Sequence, residues 1–306
     1  MCNLSRPEFH DDAKAREWLE GELWPYGPVC PHCGVISQAT LLKGKASRPG
    51  LYQCNACREQ FTVTVGTLYE RSKVPLHKWL AVTHLMMASK KGMSALQISR
   101  MIGLPYKTAW FLCHRIRESI RDLPGSANPM GGKDKVVQAD ESFVGGKAKN
   151  RAFREPAPKK PVFALVERGG HVRSFHVANV KASTLRPIIA KNVELASALM
   201  TDEAPVYGKI GAKFGNHHTV NHSASEYVRL GAYVHINTAE NFFSIVKRGV
   251  IGKFHHVSEA HLHRYLGEFD FRYNNRDISD AQRFSKSIGG IVGKRLTYRR
   301  IGEAQT

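Results

Sequence analysis

"VVQADESFV" (residues 136–144) is an apolar run that reads as a β-strand and turns acidic at Asp140. "PVFALVERG" (161–169) and "HVRSFHVAN" (171–179) follow with the same short, β-branched character, so the three predict strands of a hairpin-rich meander. Asp140 closes the apolar part of the first strand, "VVQAD". A carboxylate on the core-facing side of such a strand is costly without a cation. Downstream, a helix is expected from Thr184 to Glu194, a strand over "ALMTD" (198–202), and then a run of helices. The order β-β-β-α-β-α, with no internal repeat, predicts an α/β domain with a mixed sheet.

Asp202 ends its strand as Asp140 does. Glu240 is isolated within "VHINTAENFFSIVKRGV" (234–250): no other acid occurs between Glu226 and Glu259. Taken singly, the two aspartates also read as turn residues, and Glu240 as the acid that helix N-termini favour. Together, on two strand ends and a helix, three carboxylates can hold two divalent cations about 3.5–4 Å apart. Oxygen donors suit Mg²⁺ rather than Zn²⁺.

Upstream, "DLPGSANPMGGKDK" (122–135) reads as a linker. Before it, "SALQISRMI" (94–102), Gly103 and "YKTAWFLCHRIRESI" (106–120) predict a helix-turn-helix. Ala109, Leu112, Cys113 and Ile116 would pack the second helix on the first. That leaves Tyr106, Lys107, Thr108, Phe111 and Arg115 for a DNA groove. From Pro75 a further helix is expected, with Leu76, Trp79, Leu80, Leu85 and Met86 on one stripe. An N-terminal helix would carry Ala13, Trp18, Leu19 and Leu23 on one face.

"CPHC" (30–33) and "CNAC" (54–57) form C-x2-C, twenty residues, C-x2-C. Two such knuckles complete a tetrahedral site, so Cys30, Cys33, Cys54 and Cys57 predict a zinc ribbon, with an iron centre as the alternative. The basic neighbours Lys43, Lys45, Arg48 and Arg58 suggest DNA contact, although a ribbon serves equally to hold a small domain together. The His-rich runs "NHHTVNH" (216–222) and "FHHVSEAHLH" (254–263) are expected in the core or towards DNA rather than on a second zinc.

The chain has 306 residues, 45 Lys and Arg against 26 Asp and Glu, and a net charge of +19. That balance calls for a polyanionic partner, and nucleic acid is the best fit. No apolar run approaches the ~18 residues of a membrane span. "MCNLSRPEFHDDAK" lacks the pattern of a secretory signal, so a cytoplasmic, nucleoid-associated protein is expected. The loop "GKAKNRAFREPAPKK" (146–160) carries six basic residues and one acid, and its Lys147, Lys149, Arg151 and Arg154 are candidate DNA contacts.

In combination, "CPHCG…YQCNACREQFTVTVGT", "QADESFVGGK", "TDEAPVY" and "HINTAENFFSIVKRGVIGKFHHVSEAHLHRYLGEFDFRYNNR" resemble bacterial insertion-sequence transposases of the "IS fifteen-ninety-five" group, over about residues 20–280. The resemblance implies zinc-ribbon DDE enzymes with a ribonuclease-H-like catalytic core and a triad falling on Asp140, Asp202 and Glu240. A basic residue that accompanies the glutamate falls on Lys247, two helical turns later on the same face. Some relatives use Asn as third ligand, and Asn237 and Asn241 flank Glu240.

The expected organisation is a multidomain α+β chain. An N-terminal helix and zinc ribbon occupy 1–72, the helix-turn-helix 73–122 and a linker 123–134. The catalytic domain spans 135–280 and a basic tail 281–306. The expected activity is Mg²⁺- or Mn²⁺-dependent cleavage at terminal inverted repeats and strand transfer into target DNA, by a homo-oligomer assembled on double-stranded DNA. The rivals are a DNA-binding regulator with an inactive catalytic fold and a structure-selective nuclease.

Overall fold

The computed structural model describes residues 4–44, 47–121, 128–145, 158–220 and 233–297. The chain falls into two compact units, Met1–Arg121 with Asp277–Thr306, and Asp122–Arg276.

In the first unit, helix α1 (Asp12–Leu23) starts at Asp11, whose side chain accepts from the amide of Lys14. Its buried residues are Ala15 and Leu19 rather than Ala13. Three short antiparallel strands follow: β1 (Ala39–Leu41), β2 (Tyr52–Cys54) and β3 (Gln60–Phe61). Helix α2 (Leu76–Ala88) buries residues on nearly all sides, including Trp79, Leu80, Val82, Met86 and Met87, so it is a central rather than an amphipathic helix. Helices α3 (Ala95–Ile102) and α4 (Tyr106–Ser119) are joined by Gly103, Leu104 and Pro105. Ser94 caps α3 by accepting from Gln97, and Gly103 ends it at φ 65°, in the left-handed region that glycine enters without strain. Ala109, Leu112, Cys113 and Ile116 are buried, as the pattern predicts.

The segment expected as a tail from residue 281 instead supplies helix α9 (Asp280–Gly289) to this unit. Phe284 of α9 stacks on Trp18 at 4.6 Å and lies 5.8 Å from Phe9. Further on, Lys294 Nζ donates to the carbonyls of Glu118, Ser119 and Arg121 at 2.8–3.1 Å, satisfying the open C-terminal end of α4. Basic residues in this region therefore have structural work to do.

The second unit is built on a five-stranded sheet of order β6-β5-β4-β7-β8. The strands are β4 (Val136–Val144), β5 (Lys160–Glu167), β6 (Val172–His176), β7 (Ala198–Asp202) and β8 (Asn216–Val220). β4–β5 and β5–β6 are antiparallel, whereas β4–β7 and β7–β8 are parallel. β8 falls inside a His-rich run where no strand was expected. Only Val220 in it is buried, so this edge strand carries no apolar alternation to read. β4 spans the expected residues Val136–Val144, so Asp140 lies within the strand rather than at its end.

Alternation of side chains across the sheet fills both faces. Val137, Ala139, Phe163, Leu165 and Leu199 pack with Leu185 and Ile189 of helix α5 (Ala182–Asn192) and Ile210 of the one-turn α6 (Gly208–Gly211). Val144, Val162, Ala164 and Val166 pack on the other face with Ala239, Phe242, Phe243 and Val246 of α7 (Asn237–Gly249) and Leu262, Leu266 and Phe269 of α8 (Glu259–Asn274). A π-helical turn, Val250–Phe254, links these two helices. Among the described residues, no helix is long and apolar enough to cross a membrane.

Candidate active site

The parallel register of β4 and β7 pairs Gln138 with Met200. Continued by two residues, it sets Asp140 beside Asp202, on neighbouring strands spaced about 4.8 Å apart and on the same face of the sheet. That face is the one covered by α7. Helix α7 has no side-chain cap of its own. Its cap comes from β4: the buried Gln138 accepts from the amide of Ala239 at 3.0 Å through Oε1, and donates to the carbonyl of His235 at 2.9 Å through Nε2. Gln138 lies two residues before Asp140 on the same strand face, so one side chain fixes the start of α7 against the strand that carries the first acid.

The result is a cavity of about 650 Å³ lined by Asp140, Glu141, Asp202, Glu240, Lys247 and Arg248, with Ile236, Phe243 and Ile251 as its apolar wall. Glu240 and Lys247 are both exposed, seven residues apart and so on one face of α7. Asn237 is exposed at the start of α7 and is not part of the lining. Burial, and then the neighbouring carboxylate of Glu141, push the Asp140 carboxyl up to about 7. Asp202 and Glu240 push the same way, against the amide of Glu141, which donates to Asp140 Oδ1 at 2.8 Å. The amide of Ala204 donates to Asp202 Oδ1 at 3.1 Å and holds that carboxylate in the turn after β7.

Two residues of this site escaped the sequence reading. Glu141 faces away from Asp140 along the strand, yet it reaches the cavity rim and accepts a hydrogen bond from the hydroxyl of the buried Tyr207. Burial raises the carboxyl of Glu141, and burial followed by the charge of Glu141 raises the phenol of Tyr207. The adjacent acids in "ADESF" were the available signal. The partner, 66 residues away, was not visible.

In the first unit the four cysteines come together. The Sγ atoms of Cys30 and Cys57, and of Cys33 and Cys54, stand 3.6 Å apart. All four lie within 4.8 Å of one another. A tetrahedral zinc with ~2.3 Å bonds requires sulfur–sulfur edges of about 3.8 Å, so the donor set fits. The amides of Cys57 and Ala56 help hold the Cys54 thiol down to about 6, whereas desolvation and hydrogen bonding among the sulfurs raise Cys33 and Cys57, so a metal would have to displace protons from the cluster. Among the described residues no other group of His, Cys, Asp or Glu closes to this distance. The carboxylates of the cavity are a looser set.

The candidate DNA contacts separate. Tyr106 and Lys107 are exposed at the start of α4, and Thr108 is half-buried. Arg115 is not available: it is 8% exposed, its guanidinium lies 5.0 Å over the Trp79 ring, and Nη2 donates to the carbonyl of Glu70 at 3.2 Å. Phe111 packs on the same guanidinium at 5.8 Å. Arg115 thus joins α4 to α2 and does not face a groove. Lys147, Lys149, Arg151 and Arg154 lie outside the described residues.

Residues 131–274, which carry every wall of the cavity, match the ISXO2-like transposase domain, and residues 10–60 match the transposase zinc-ribbon domain. The chain belongs to the ISXO2-like transposase family. It is 27% identical over 284 residues to a protein in transposable element ISH50 of Halobacterium salinarum, covering 86% of this chain and 91% of that one. It is also 33% identical over 118 residues to a transposase-like protein of Haemophilus influenzae, covering 38% of this chain and 93% of the relative. In this ISXO2-like chain, the ribbon match encloses all four cysteines and the transposase match encloses Asp140, Asp202, Glu240 and Lys247.

Proposed function

We propose that this chain is a metal-dependent DNA transposase that binds the terminal inverted repeats of its element, cleaves a strand there and transfers it to target DNA. The observation that carries the reading is the convergence of Asp140, Asp202 and Glu240 on one cavity from two parallel strands and a helix capped by the first strand. A strand order of β6-β5-β4-β7-β8 with only the β5 strand reversed supports a ribonuclease-H-like core. The three-residue connection between α3 and α4, with Tyr106 and Lys107 exposed after it, supports a helix-turn-helix.

The site's chemistry follows from its donors. Carboxylate oxygens fit a hard divalent cation, which would offset both the burial and the carboxylate repulsion that raise Asp140. Bound Mg²⁺ or Mn²⁺ would activate the attacking water or 3′-hydroxyl and stabilise the leaving oxygen. Asp140, Asp202 and Glu240 would hold it. Lys247 and Arg248 would offset phosphodiester charge at the far end of the cavity, and Phe243, Ile236 and Ile251 would limit water access. Glu240 rather than Asn237 is the third ligand in this reading, because Glu240 lines the cavity and Asn237 does not.

The decisive test is Mg²⁺-dependent nicking of a duplex bearing the element's end. Glu240→Gln should abolish nicking and strand transfer while leaving duplex binding intact, and Asn237→Ala should keep most activity. A dead Asn237→Ala beside an active Glu240→Gln would move the third ligand. Normal cleavage by both would remove α7 from the chemistry. A binding-only regulator would nick with neither wild type nor variant.

A further inference from the structure

A second concave surface lies in the first unit, and no residue of α3 or α4 lines it. It is a groove of about 430 Å³ between the ribbon, α1 and the segment entering α2. Arg16, Arg48, Arg71 and Lys73 line it. Asp12 is the one acid in the lining, against these four cations. It is already engaged: its Oδ1 accepts from the amide of His77 at 3.0 Å and faces His77 Nδ1 at 2.7 Å. Arg71 shares the exposed rim with Glu70 at 3.5 Å. Arg48 and Lys73 are exposed and make no hydrogen bond or ion pair among the described residues. Cations gathered in a concavity repel one another, and the field they focus there is relieved by an anion.

The walls are built to hold that arrangement. Gly50 is at φ 73°, and a Cβ at this position would fall 2.2 Å from Cδ of Arg16, so the glycine lets Arg16 pass beneath the ribbon loop. The floor contains Tyr69, Trp79 and Val63, each buried. Trp79 also carries the guanidinium of Arg115 on its ring, which ties the floor to α4.

The kind of anion follows from what the groove lacks. Surfaces that bind single strands interleave cations with exposed aromatic rings on which bases stack. Here the two aromatic residues of the lining, Tyr69 and Trp79, are 3% and 2% exposed. Guanidinium forks and hydroxyls with no stacking platform suit phosphate oxygens. Thr62 and Thr64 add hydroxyls at the same wall. We infer that this groove grips the phosphodiester backbone of duplex DNA, giving sequence-independent affinity beside whatever α4 reads. The inference rests on the transposase reading and adds a contact surface to it.

The experiment uses the full zinc-loaded chain and measures binding to a repeat-end duplex and a scrambled duplex across a salt series. Each phosphate contact contributes about 0.9 to the slope of log affinity against log salt. Arg48→Gln with Lys73→Gln removes two exposed, unpaired charges, so the fold should be unaffected. The slope should fall by about 2, and affinity should fall equally for both duplexes. Lys90→Gln with Lys91→Gln, an exposed pair beyond the end of α2, is the control for net charge and should leave the slope unchanged.

An unchanged slope in the Arg48/Lys73 variant, in a chain whose wild type binds with normal salt dependence, overturns the groove and leaves the transposase reading standing. An equal fall in the Lys90/Lys91 control also overturns it, because the effect is then bulk charge. With a single strand of the repeat-end sequence as a third probe, loss confined to that strand overturns the duplex assignment. A wild-type chain with no salt-dependent duplex binding overturns the transposase reading and the groove together.

Discussion

Replacing Asp140 by Asn should stabilise the metal-free protein above neutral pH while destroying its activity. The Asp140 carboxyl sits at about 7 in the fold against an ordinary 3.8, raised first by burial and then by Glu141, Asp202 and Glu240. Between about pH 4 and pH 7 the folded chain therefore holds a proton that the unfolded chain has released. Stability falls as pH rises across that window and the loss is complete above it. Roughly three units at about 1.4 kcal/mol each set a ceiling near 4 kcal/mol. Partial solvent access and the neighbours' own adjustment should leave about 1–2 kcal/mol, or about 3–6 °C in melting temperature for a unit of this size. Asn copies the shape of the protonated acid and keeps the acceptor for the Glu141 amide.

The assay is thermal unfolding of wild type and Asp140→Asn in Mg²⁺-free buffer at pH 4.5 and pH 8. The variant should match wild type at the lower pH and exceed it at the higher. Added Mg²⁺ should then raise the wild type more than the variant, because the variant lacks one of the three carboxylates of the proposed metal site. A variant that is less stable than wild type at pH 8 would refute the electrostatic account of the cavity.

Cys54→Ser should release the bound zinc and unfold the ribbon, seen as metal content falling from about one per chain together with loss of the Tyr52–Phe61–Trp24 packing signal in near-ultraviolet dichroism. Phe284→Ala should destabilise the first unit by about 3–5 kcal/mol, since the ring is buried between Trp18 and Phe9. For the same reason a fragment ending at residue 125 should melt well below one supplied with residues 277–297. Tyr207→Phe leaves packing intact and removes only the donor to Glu141. It should raise the Mg²⁺ concentration needed for half-maximal nicking without abolishing the maximal rate, and an unchanged Mg²⁺ dependence would show that the pair does not position the site.

What the sequence disclosed and what it hid divide along physical lines. Cysteine spacing is a local constraint, because two x2 knuckles must each turn tightly, and the four thiols meet as spaced. Gly103 announced a left-handed helix end, again a local property. The three acids were legible because a carboxylate inside an apolar run needs a reason. β8 was hidden because its exposed Asn216 and half-buried His217 and His218 sit on an edge strand held by parallel pairing to β7 rather than by full burial. Arg115 was misread because a helical pattern reports which residues share a face and not what covers that face. Trp79 on α2 covers it.

The role of Gln138 shows why the hidden part matters to the site. In the sequence it is a polar interruption between Val137 and Ala139 and reads as noise in a strand. In the fold it is the fully buried cap of a helix 101 residues downstream. A buried amide with both ends hydrogen-bonded costs about 1–3 kcal/mol to disrupt, so it is a stiff joint. Asp140 leaves the same strand face two residues later, and Glu240 leaves α7 one residue after the capped amide. The distance between two of the proposed ligands is therefore set partly through this side chain, beside the apolar packing of α7 on β4 and β5, while the β4–β7 register independently sets Asp140 against Asp202. Among the joints that bring together the proposed ligands at positions 140, 202 and 240, one is backbone pairing and one is a glutamine side chain. Neither joint can be read from the acids themselves.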